Sequence, residues 1–142
     1  MSALVADASV ALAWLFPDEG SEYADAVLEA LKDREVVVPA IWPVEIANAI
    51  WVGERRKRIR PQDVRGFIDL LEDLNIVQDS RPFASVLSEV VAISRECGIS
   101  AYDAAYLDVA LRHGAPFATL DKALERAARA AGIEIVKLQA KR

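Results

Sequence analysis

The chain has 142 residues, a length that fits a single domain spanning 1–142 with one hydrophobic core. Hydrophobic residues make up 54% of it and charged residues 27%, a balance that excludes an intrinsically disordered chain. The net charge of −5 excludes a basic coat for nucleic acid over the whole surface. A single cysteine and a single histidine exclude a disulfide framework and metal sites built from several of either residue.

The N-terminal segment is apolar, but it lacks the basic start of a signal peptide and is interrupted by Asp7. The longest apolar runs, such as 36–44, are far shorter than the roughly 18 residues of a membrane span. We therefore expect a cytoplasmic protein without membrane contact. The mean hydropathy of +0.18 is high for so small a domain and predicts a partner that covers part of the surface.

Short β-like runs alternate with longer helical runs along the chain. In chain order, the sequence predicts a strand at 4–6, a helix from Val10 to about Pro17, a helix at 21–32, a strand at 36–38, a helix at 44–58, a helix from Pro61 to about Leu74, a strand at 76–77, helices at 83–97 and 100–113, a strand at 116–118, a helix at 122–131 and a strand at 133–136. The strands are continuously apolar, which is typical of a parallel sheet covered on both faces. We expect an α/β fold, a three-layer α/β/α sandwich with about five short parallel strands.

Four acidic residues fall near one edge of this predicted sheet. Asp7 directly follows the first strand, Glu45 lies in the first turn of the helix after the second, and Asp121 follows strand 116–118. Asp103 lies in the first turn of helix 100–113, which leads back to strand 116–118. In parallel sheets the functional crevice lies beyond the carboxyl ends of the strands, where the first three carboxylates would meet. Asp103 joins them if its helix packs beside that strand.

Each acid also has an ordinary structural explanation. Asp7 suits the start of a turn, Glu45 and Asp103 suit the positive end of a helix, and Asp121 suits a helix cap. Structural roles alone do not explain why all four acids would lie together, because carboxylates about 5 Å apart repel by roughly 3 kcal/mol at an effective dielectric near 20. A divalent cation would relieve this repulsion. Oxygen ligands alone suit Mg²⁺ or Mn²⁺, which activate water at a phosphodiester.

Four segments around these acids resemble the acidic motifs of the PIN domain family. They are, in order, residues 4–9 (LVADAS), 43–49 (PVEIANA), 100–106 (SAYDAAY) and 118–124 (ATLDKAL). The similarity covers essentially the whole chain. In its length and its lack of extra domains, the chain looks most like the VapC-type toxins of bacterial and archaeal toxin–antitoxin pairs.

The resemblance implies a metal-dependent endoribonuclease toxin that hydrolyses RNA with a metal-activated water. It implies Mg²⁺ or Mn²⁺ as the cofactor, a homodimer, and an antitoxin protein whose C-terminal segment covers the site. It also carries family roles onto residues of this chain, with metal-binding and catalytic acids at Asp7, Glu45, Asp103 and Asp121, and polar helpers at Ser9 and Thr119.

A basic run has two open explanations. It fits a solvated helix end, where cations favour the helix dipole, and it equally fits contacts with RNA phosphates. The run starts about 15–20 Å beyond Glu45 along its helix, which suits a structured RNA such as a tRNA better than a dinucleotide. Its members are Arg55, Arg56, Lys57, Arg58 and Arg60, five of the 17 basic residues.

Large aromatic residues indicate where a partner binds. Trp14, Leu15 and Phe16 are consecutive and cannot all face one core, and Trp51 shares the helix of Glu45. Core packing explains most of these side chains. A partner groove at Trp14, Phe16 and Trp51 would explain the surplus.

Other residues are assigned structural roles, and two other functions stay open. We expect His113 to favour a helix end, Cys97 to be a packed thiol and Asp108 to lie at the surface. A Mg²⁺-binding signalling domain of the receiver type would share the fold class, but it normally needs an acidic pair after the first strand, where Asp7 stands alone. A non-catalytic PIN-like interaction domain would not need all four acids.

Overall fold

The computed structural model of the chain describes residues 2–138. Every predicted helix and four of the predicted strands are present, with ends that differ from the predictions by a few residues at most. In chain order the elements are β1 (Leu4–Ala6), α1 (Ala8–Leu15), α2 (Glu22–Ala30), β2 (Val36–Val38), α3 (Trp42–Arg55), α4 (Pro61–Glu72), β3 (Ile76–Gln78), α5 (Phe83–Cys97), α6 (Ala101–His113), β4 (Phe117–Ala118) and α7 (Lys122–Ala130).

The strands form one parallel four-stranded sheet in the order β3-β2-β1-β4. Val36 of β2 lies opposite Leu4 of β1, and Val5 of β1 lies between Val37 of β2 and Phe117 of β4. β1 and β2 are buried throughout, as expected for branched and apolar side chains in a sheet covered on both faces. Because all strands run the same way, their carboxyl ends meet at one edge.

Helices cover both faces of this sheet. The chain steps from β1 to β2 to β3 in one direction and returns past β1 to reach β4, and such parallel crossovers are almost always right-handed. Helices α1 to α4 therefore share one face, where α1 packs against α2, α3 and α4. Helices α5 and α6 pack together on the other face, with α6 against β1 and β2. The predicted α/β/α sandwich is confirmed.

The expected fifth strand is reduced to a single bridge. Ile135 pairs in parallel with Phe117. The Phe117 N–H donates to the Glu134 carbonyl and the Val136 N–H donates to the Phe117 carbonyl, each at 2.8 Å. β4 is only 2 residues long, so it offers a neighbouring segment room for little more than one bridge. Within residues 2–138 the prediction of five strands is therefore one too many.

Phe16 belongs to the core, which contradicts its expected role in partner binding. Its side chain is 1% exposed and lies against α3. Gly53 allows this approach, since a Cβ there would lie 2.7 Å from the Phe16 ring. The Arg58 guanidinium covers the outer face of the ring at 4.2 Å. Consecutive side chains at a helix end point in different directions, and here Phe16 takes the inward one.

The two tryptophans of the expected partner surface behave differently from Phe16. Trp14 is half-buried, and its indole N–H donates to the Ala24 carbonyl at 2.8 Å. Trp51 is 58% exposed on α3. Both therefore remain candidates for contact with another protein.

Asp108 is buried, not at the surface as expected. It is 3% exposed, and it accepts hydrogen bonds from Arg81 at 2.5 Å and from Arg112. Arg112 also pairs with Asp79. The Asp79 Oδ1 lies 2.9 Å from Nε2 of His113, within hydrogen-bond distance. Arginine partners make the burial of this carboxylate tolerable. His113 ends α6, as predicted.

None of the helices within residues 2–138 is both long and apolar enough to cross a membrane.

Candidate active site

Asp7 lies at the centre of the carboxyl edge, between the ends of β1 and β4. It is 5% exposed and caps α1. The Ser9 hydroxyl donates to Oδ1 at 2.5 Å, and the Thr119 hydroxyl donates to Oδ2 at 2.5 Å. The same hydroxyl oxygens accept the backbone N–H groups of Leu120 and Asp121, each at 3.0 Å. The loop after β4 is thereby fastened to the Asp7 carboxylate.

Burial raises the pKa of Asp7 from 3.8 to about 6, because the charged form loses its water. The hydrogen bonds from Ser9, Thr119 and the Val10 N–H oppose this shift, and the nearby charge of Asp121 adds to it. The hydroxyls therefore orient the carboxylate without fully stabilising its charge. A buried carboxylate with a raised pKa and no cationic partner is typical of a functional site.

Glu45 approaches the edge from the first turn of α3. Its Oε1 accepts a hydrogen bond from the hydroxyl of Tyr106, a side chain on α6 that is 2% exposed. Burial raises the pKa of Glu45, the Tyr106 bond lowers it, and the charge of Asp103 raises it again. Tyr106 was not predicted as a site residue. Its partner lies 61 positions away in the sequence, so only the fold reveals the contact.

Asp103 and Asp121 lie at the more open side of the site. Asp103 is in the first turn of α6, and its pKa is raised by burial and by the charge of Asp121. Asp121 is exposed and caps α7, accepting the N–H groups of Ala123 at 2.9 Å and Leu124 at 3.1 Å. Asp121 thus serves as the helix cap that the sequence predicts. Its charge also raises the pKa of Asp7 and of Asp103.

The electrostatic couplings join the four acids into one group. Asp121 acts on Asp7 and on Asp103, and Asp103 acts on Glu45. Within residues 2–138, none of the four acids is hydrogen-bonded or ion-paired to an arginine or lysine. However, no three acidic, histidine or cysteine side chains of that range converge tightly enough to form a ready-made cation cage.

The donor set fits a hard divalent cation nevertheless. All candidate ligands are oxygen atoms. Asp7 Oδ1 already accepts the Ser9 hydroxyl and the Val10 N–H, whereas Oδ2 accepts only the Thr119 hydroxyl and keeps a lone pair for a cation. Burial is the main cause of the raised pKa values of Asp7, Glu45 and Asp103, and repulsion between the acids adds to it. A bound cation would stabilise the charged carboxylates against both effects. The loose spacing means that the exposed side chains of the group would have to move inward.

The basic run lies where α3 ends and the chain turns towards α4. Arg58 pairs with Asp18 at 2.9 Å and with Glu19 at 2.7 Å, and Arg60 pairs with Asp63 at 3.4 Å. The remaining three members are exposed and have no acidic partner within residues 2–138. They are Arg55, whose guanidinium lies 5.7 Å from the Trp51 ring centre, Arg56, and Lys57, which has a positive φ of 57°.

Comparison with known proteins agrees with this arrangement. Over 121 residues the chain is 30% identical to Ribonuclease VapC3 of Pyrobaculum aerophilum, an alignment that covers 85% of this chain and 91% of that protein. A solved structure of a Pyrobaculum aerophilum protein covers 89% of this chain and 79% of its own, with a TM-score of 0.68 and 23% identity.

Two further solved structures share the fold. FitAcB from Neisseria gonorrhoeae has a TM-score of 0.61 at 18% identity, covering 94% of this chain and 96% of its own. A toxin–antitoxin complex from Klebsiella pneumoniae has a TM-score of 0.55 at 21% identity, covering 83% and 86%. The profile of the PIN domain matches residues 4–130. That match spans most of the chain and includes all four acids, so the chain belongs to the PIN domain family.

Proposed function

We propose that this chain is a metal-dependent endoribonuclease, the toxin component of a toxin–antitoxin pair, and that it hydrolyses RNA phosphodiesters with water. The observation that carries the proposal is the buried Asp7 carboxylate, with a pKa raised to about 6, among three further acids at the carboxyl edge. The relative named Ribonuclease VapC3, at 30% identity over 85% of this chain, supports the activity and the substrate.

Water is the nucleophile that the side chains leave available. The one cysteine, Cys97, ends α5, and the one histidine, His113, ends α6 against Asp79. The hydroxyls of Ser9 and Thr119 are both engaged with Asp7. None of these groups forms a nucleophile–base pair at the acids.

Asp7, Glu45, Asp103 and Asp121 are the residues that would hold Mg²⁺ or Mn²⁺. When bound, such a cation neutralises charge on the phosphodiester and lowers the pKa of a water molecule. Ser9 and Thr119 fix the orientation of the Asp7 carboxylate. Tyr106 holds Glu45 with a hydroxyl proton that burial and the Glu45 charge keep in place, since both raise the pKa of Tyr106.

The partners belong to the same proposal. Arg55, Arg56 and Lys57 would contact RNA phosphates, because their charges are not paired within residues 2–138. An antitoxin would cover the surface that includes Trp14 and Trp51, and one structure of this fold is a toxin–antitoxin complex. A homodimer that works in the cytoplasm completes the assignment.

Cleavage of a structured RNA tests the proposal. Wild-type protein should cut it in Mg²⁺ or Mn²⁺, and EDTA should abolish the cut. Asp7→Asn keeps the helix cap but removes the buried charge, so we expect cleavage to fall by a factor of at least about 100, the scale for losing one charged catalytic group. Asp69→Asn removes an exposed carboxylate of α4 and should leave the rate unchanged.

Three results would contradict the proposal. Undiminished cleavage in excess EDTA would remove the role of the cation. Full activity of Asp7→Asn would reduce Asp7 to a helix cap, and the absence of any cleavage by the wild type would favour a non-catalytic domain.

A further inference from the structure

A second concave site opens at the same edge of the sheet, beyond β2 and β3. It is a cavity of about 440 Å³. This volume lies within the usual range of small-ligand sites, roughly 300–1,000 Å³. Its apolar wall comes from the loop before α3 and from the facing sides of α5 and α6, chiefly Ile41, Val86, Val90 and Val109.

The polar wall of the cavity is close to neutral. Asp108 is paired with Arg81 at 2.5 Å and with Arg112, and Asp79 is paired with Arg112 and with His113 at 2.9 Å. Arg81 is further engaged by Glu89 at 3.2 Å. Both guanidinium groups are already paired with carboxylates, which leaves little positive charge to attract a phosphate. The Arg81 Nε–H is buried and has no hydrogen-bond partner within residues 2–138. The cavity therefore suits an uncharged and partly polar group.

Two polar side chains at its rim are available to such a group. Gln78 and Ser80 line the cavity and are exposed, and neither side chain makes a hydrogen bond to another residue of the described range 2–138. An amide both donates and accepts, and a hydroxyl does the same. That combination matches the alternating donors and acceptors on the edge of a nucleobase.

The cavity adjoins the acids through two shared helices. Ile41 lies in the wall of the cavity, and its carbonyl accepts the backbone N–H of Glu45 at 2.9 Å. The two residues are therefore one helical turn apart, about 6 Å along the helix axis. Ala105, also in the wall, lies on α6 between Asp103 and Tyr106. An RNA strand with a phosphodiester at the acids would thus carry a neighbouring nucleotide over the cavity.

We propose that this cavity binds one unpaired nucleobase of the RNA, next to the bond that is cut, and so selects the cleavage sequence. This inference rests on the ribonuclease function proposed above. Apolar side chains would sandwich the ring, as protein surfaces do with unstacked RNA bases, and Gln78 with Ser80 would read its edge.

Binding of short single-stranded RNA tests the inference without relying on cleavage. Fluorescence anisotropy in Ca²⁺ would compare labelled oligomers of A, C, G and U with an abasic ribose-phosphate oligomer of the same length. Wild-type protein should bind at least one base-bearing strand about tenfold more tightly than the abasic strand, the scale of one stacked base. Ala105→Leu, which fills the cavity, should abolish this preference and leave abasic binding unchanged.

Matched variants separate the cavity from general effects. Ala84→Leu makes the same change at an exposed position of α5 outside the cavity, and it should keep the preference. Gln78→Ala alters an exposed side chain that folding does not depend on, and it should change which base is preferred. Gln62→Ala on α4 should not. Melting curves and size-exclusion chromatography would check fold and oligomeric state.

The outcomes are distinct. Equal affinity for base-bearing and abasic strands, including no measurable affinity for either, would overturn the inference. The inference would also be overturned if Ala105→Leu kept the wild-type base preference and lost only its oligomeric state or the binding of a protein partner. A wild type that binds bases through the cavity but never cleaves RNA in Mg²⁺ or Mn²⁺ would instead refute the proposed function and leave the cavity assignment standing.

Discussion

Asp7 combines two properties that usually exclude each other, deep burial and a carboxylate that has no cationic partner within residues 2–138. The hydroxyls of Ser9 and Thr119 and the start of α1 hold it in position. Its raised pKa shows that these groups compensate only part of the lost hydration. A residue kept in this state costs the metal-free protein stability, which selection tolerates at functional sites.

The pH dependence of stability tests this property of Asp7. In the fold its pKa is about 6, above the ordinary value of 3.8, so the folded state binds the proton more tightly. The stabilising contribution is complete below about pH 4 and is lost as the pH rises through 6. In EDTA, the unfolding free energy of the wild type relative to Asp7→Asn should therefore fall by about 2 kcal/mol between pH 4 and 7. Urea unfolding at several pH values measures it.

The exposed Asp69→Asn serves as the reference for that measurement. Its unfolding free energy should follow the wild type across the whole pH range, because the substitution lies on the exposed surface of α4 and leaves Asp7 unchanged. If the unfolding free energies of wild type and Asp7→Asn also change in parallel with pH, the pKa of Asp7 is not raised in the folded protein.

Sequence patterns located the acids but not the residues that act on them. Asp7 follows β1 directly, Glu45 opens the helix after β2, and Asp121 lies in the loop after β4, so the rule for parallel sheets was sufficient to bring them to one edge. Tyr106 and Asp108 needed the fold, because their partners lie 61 positions away at Glu45 and 27 positions away at Arg81. Burial of a polar residue depends on such distant partners, which local periodicity does not show.

At the scale of elements, helix ends were predictable because local chemistry sets them. Pro61 opens α4, and Gly98 and Gly114 end α5 and α6 with φ of 67° and 58°, a conformation that favours glycine. The last strand was not predictable in this way. Ile135 has the residue type of a strand, but its pairing depends on the short length of β4.

The end of α3 shows that the basic run is two sets of residues. Arg58 and Arg60 are tied to acids of the same chain, and Arg58 also covers Phe16. Arg55, Arg56 and Lys57 are exposed and have no acidic partner within the described part of the chain, and Arg55 also lies against the Trp51 ring. Arg58 and Arg60 stabilise the turn, whereas the exposed residues are the ones to which the proposed function assigns contacts with RNA.

Substituting one set at a time distinguishes these roles. Arg56→Gln with Lys57→Gln should reduce the slope of log affinity for single-stranded RNA against log salt by about 0.7 per lost contact, with an unchanged melting temperature. Arg58→Gln should lower the melting temperature instead. Lys32→Gln with Arg95→Gln removes the same charge elsewhere and is the control. If the Arg56→Gln, Lys57→Gln variant has the same salt slope as the wild type, the basic run does not contact RNA and is only a solvated helix end.

At the scale of the whole molecule, the expected partner surface is separate from the acids. A cavity of about 330 Å³ lies between α1 and α4, with Trp14, Ile59 and Phe67 in its walls. Gly66 also lines it, and a Cβ there would meet no atom within 4 Å. Arg58 and Asp63 add a charged rim to this largely apolar depression. Together with exposed Trp51, it is the surface where we expect a partner to insert a side chain. Because Phe16 is buried, the depression takes its place in the surface that we expect a partner to contact.

Filling that depression should abolish partner binding without harming the fold. Gly66→Leu places a side chain in the open space, and it removes a glycine from the interior of α4, which favours the helix by up to about 1 kcal/mol. The melting temperature should stay equal or rise, and RNA cleavage should persist. Co-expression with the product of an adjacent small gene, followed by size-exclusion chromatography, should give a complex with the wild type and none with Gly66→Leu. Ala130→Leu, an exposed change at the end of α7, should still form it. An intact complex with Gly66→Leu would place the partner elsewhere, since a leucine in the depression leaves no room for an inserted side chain.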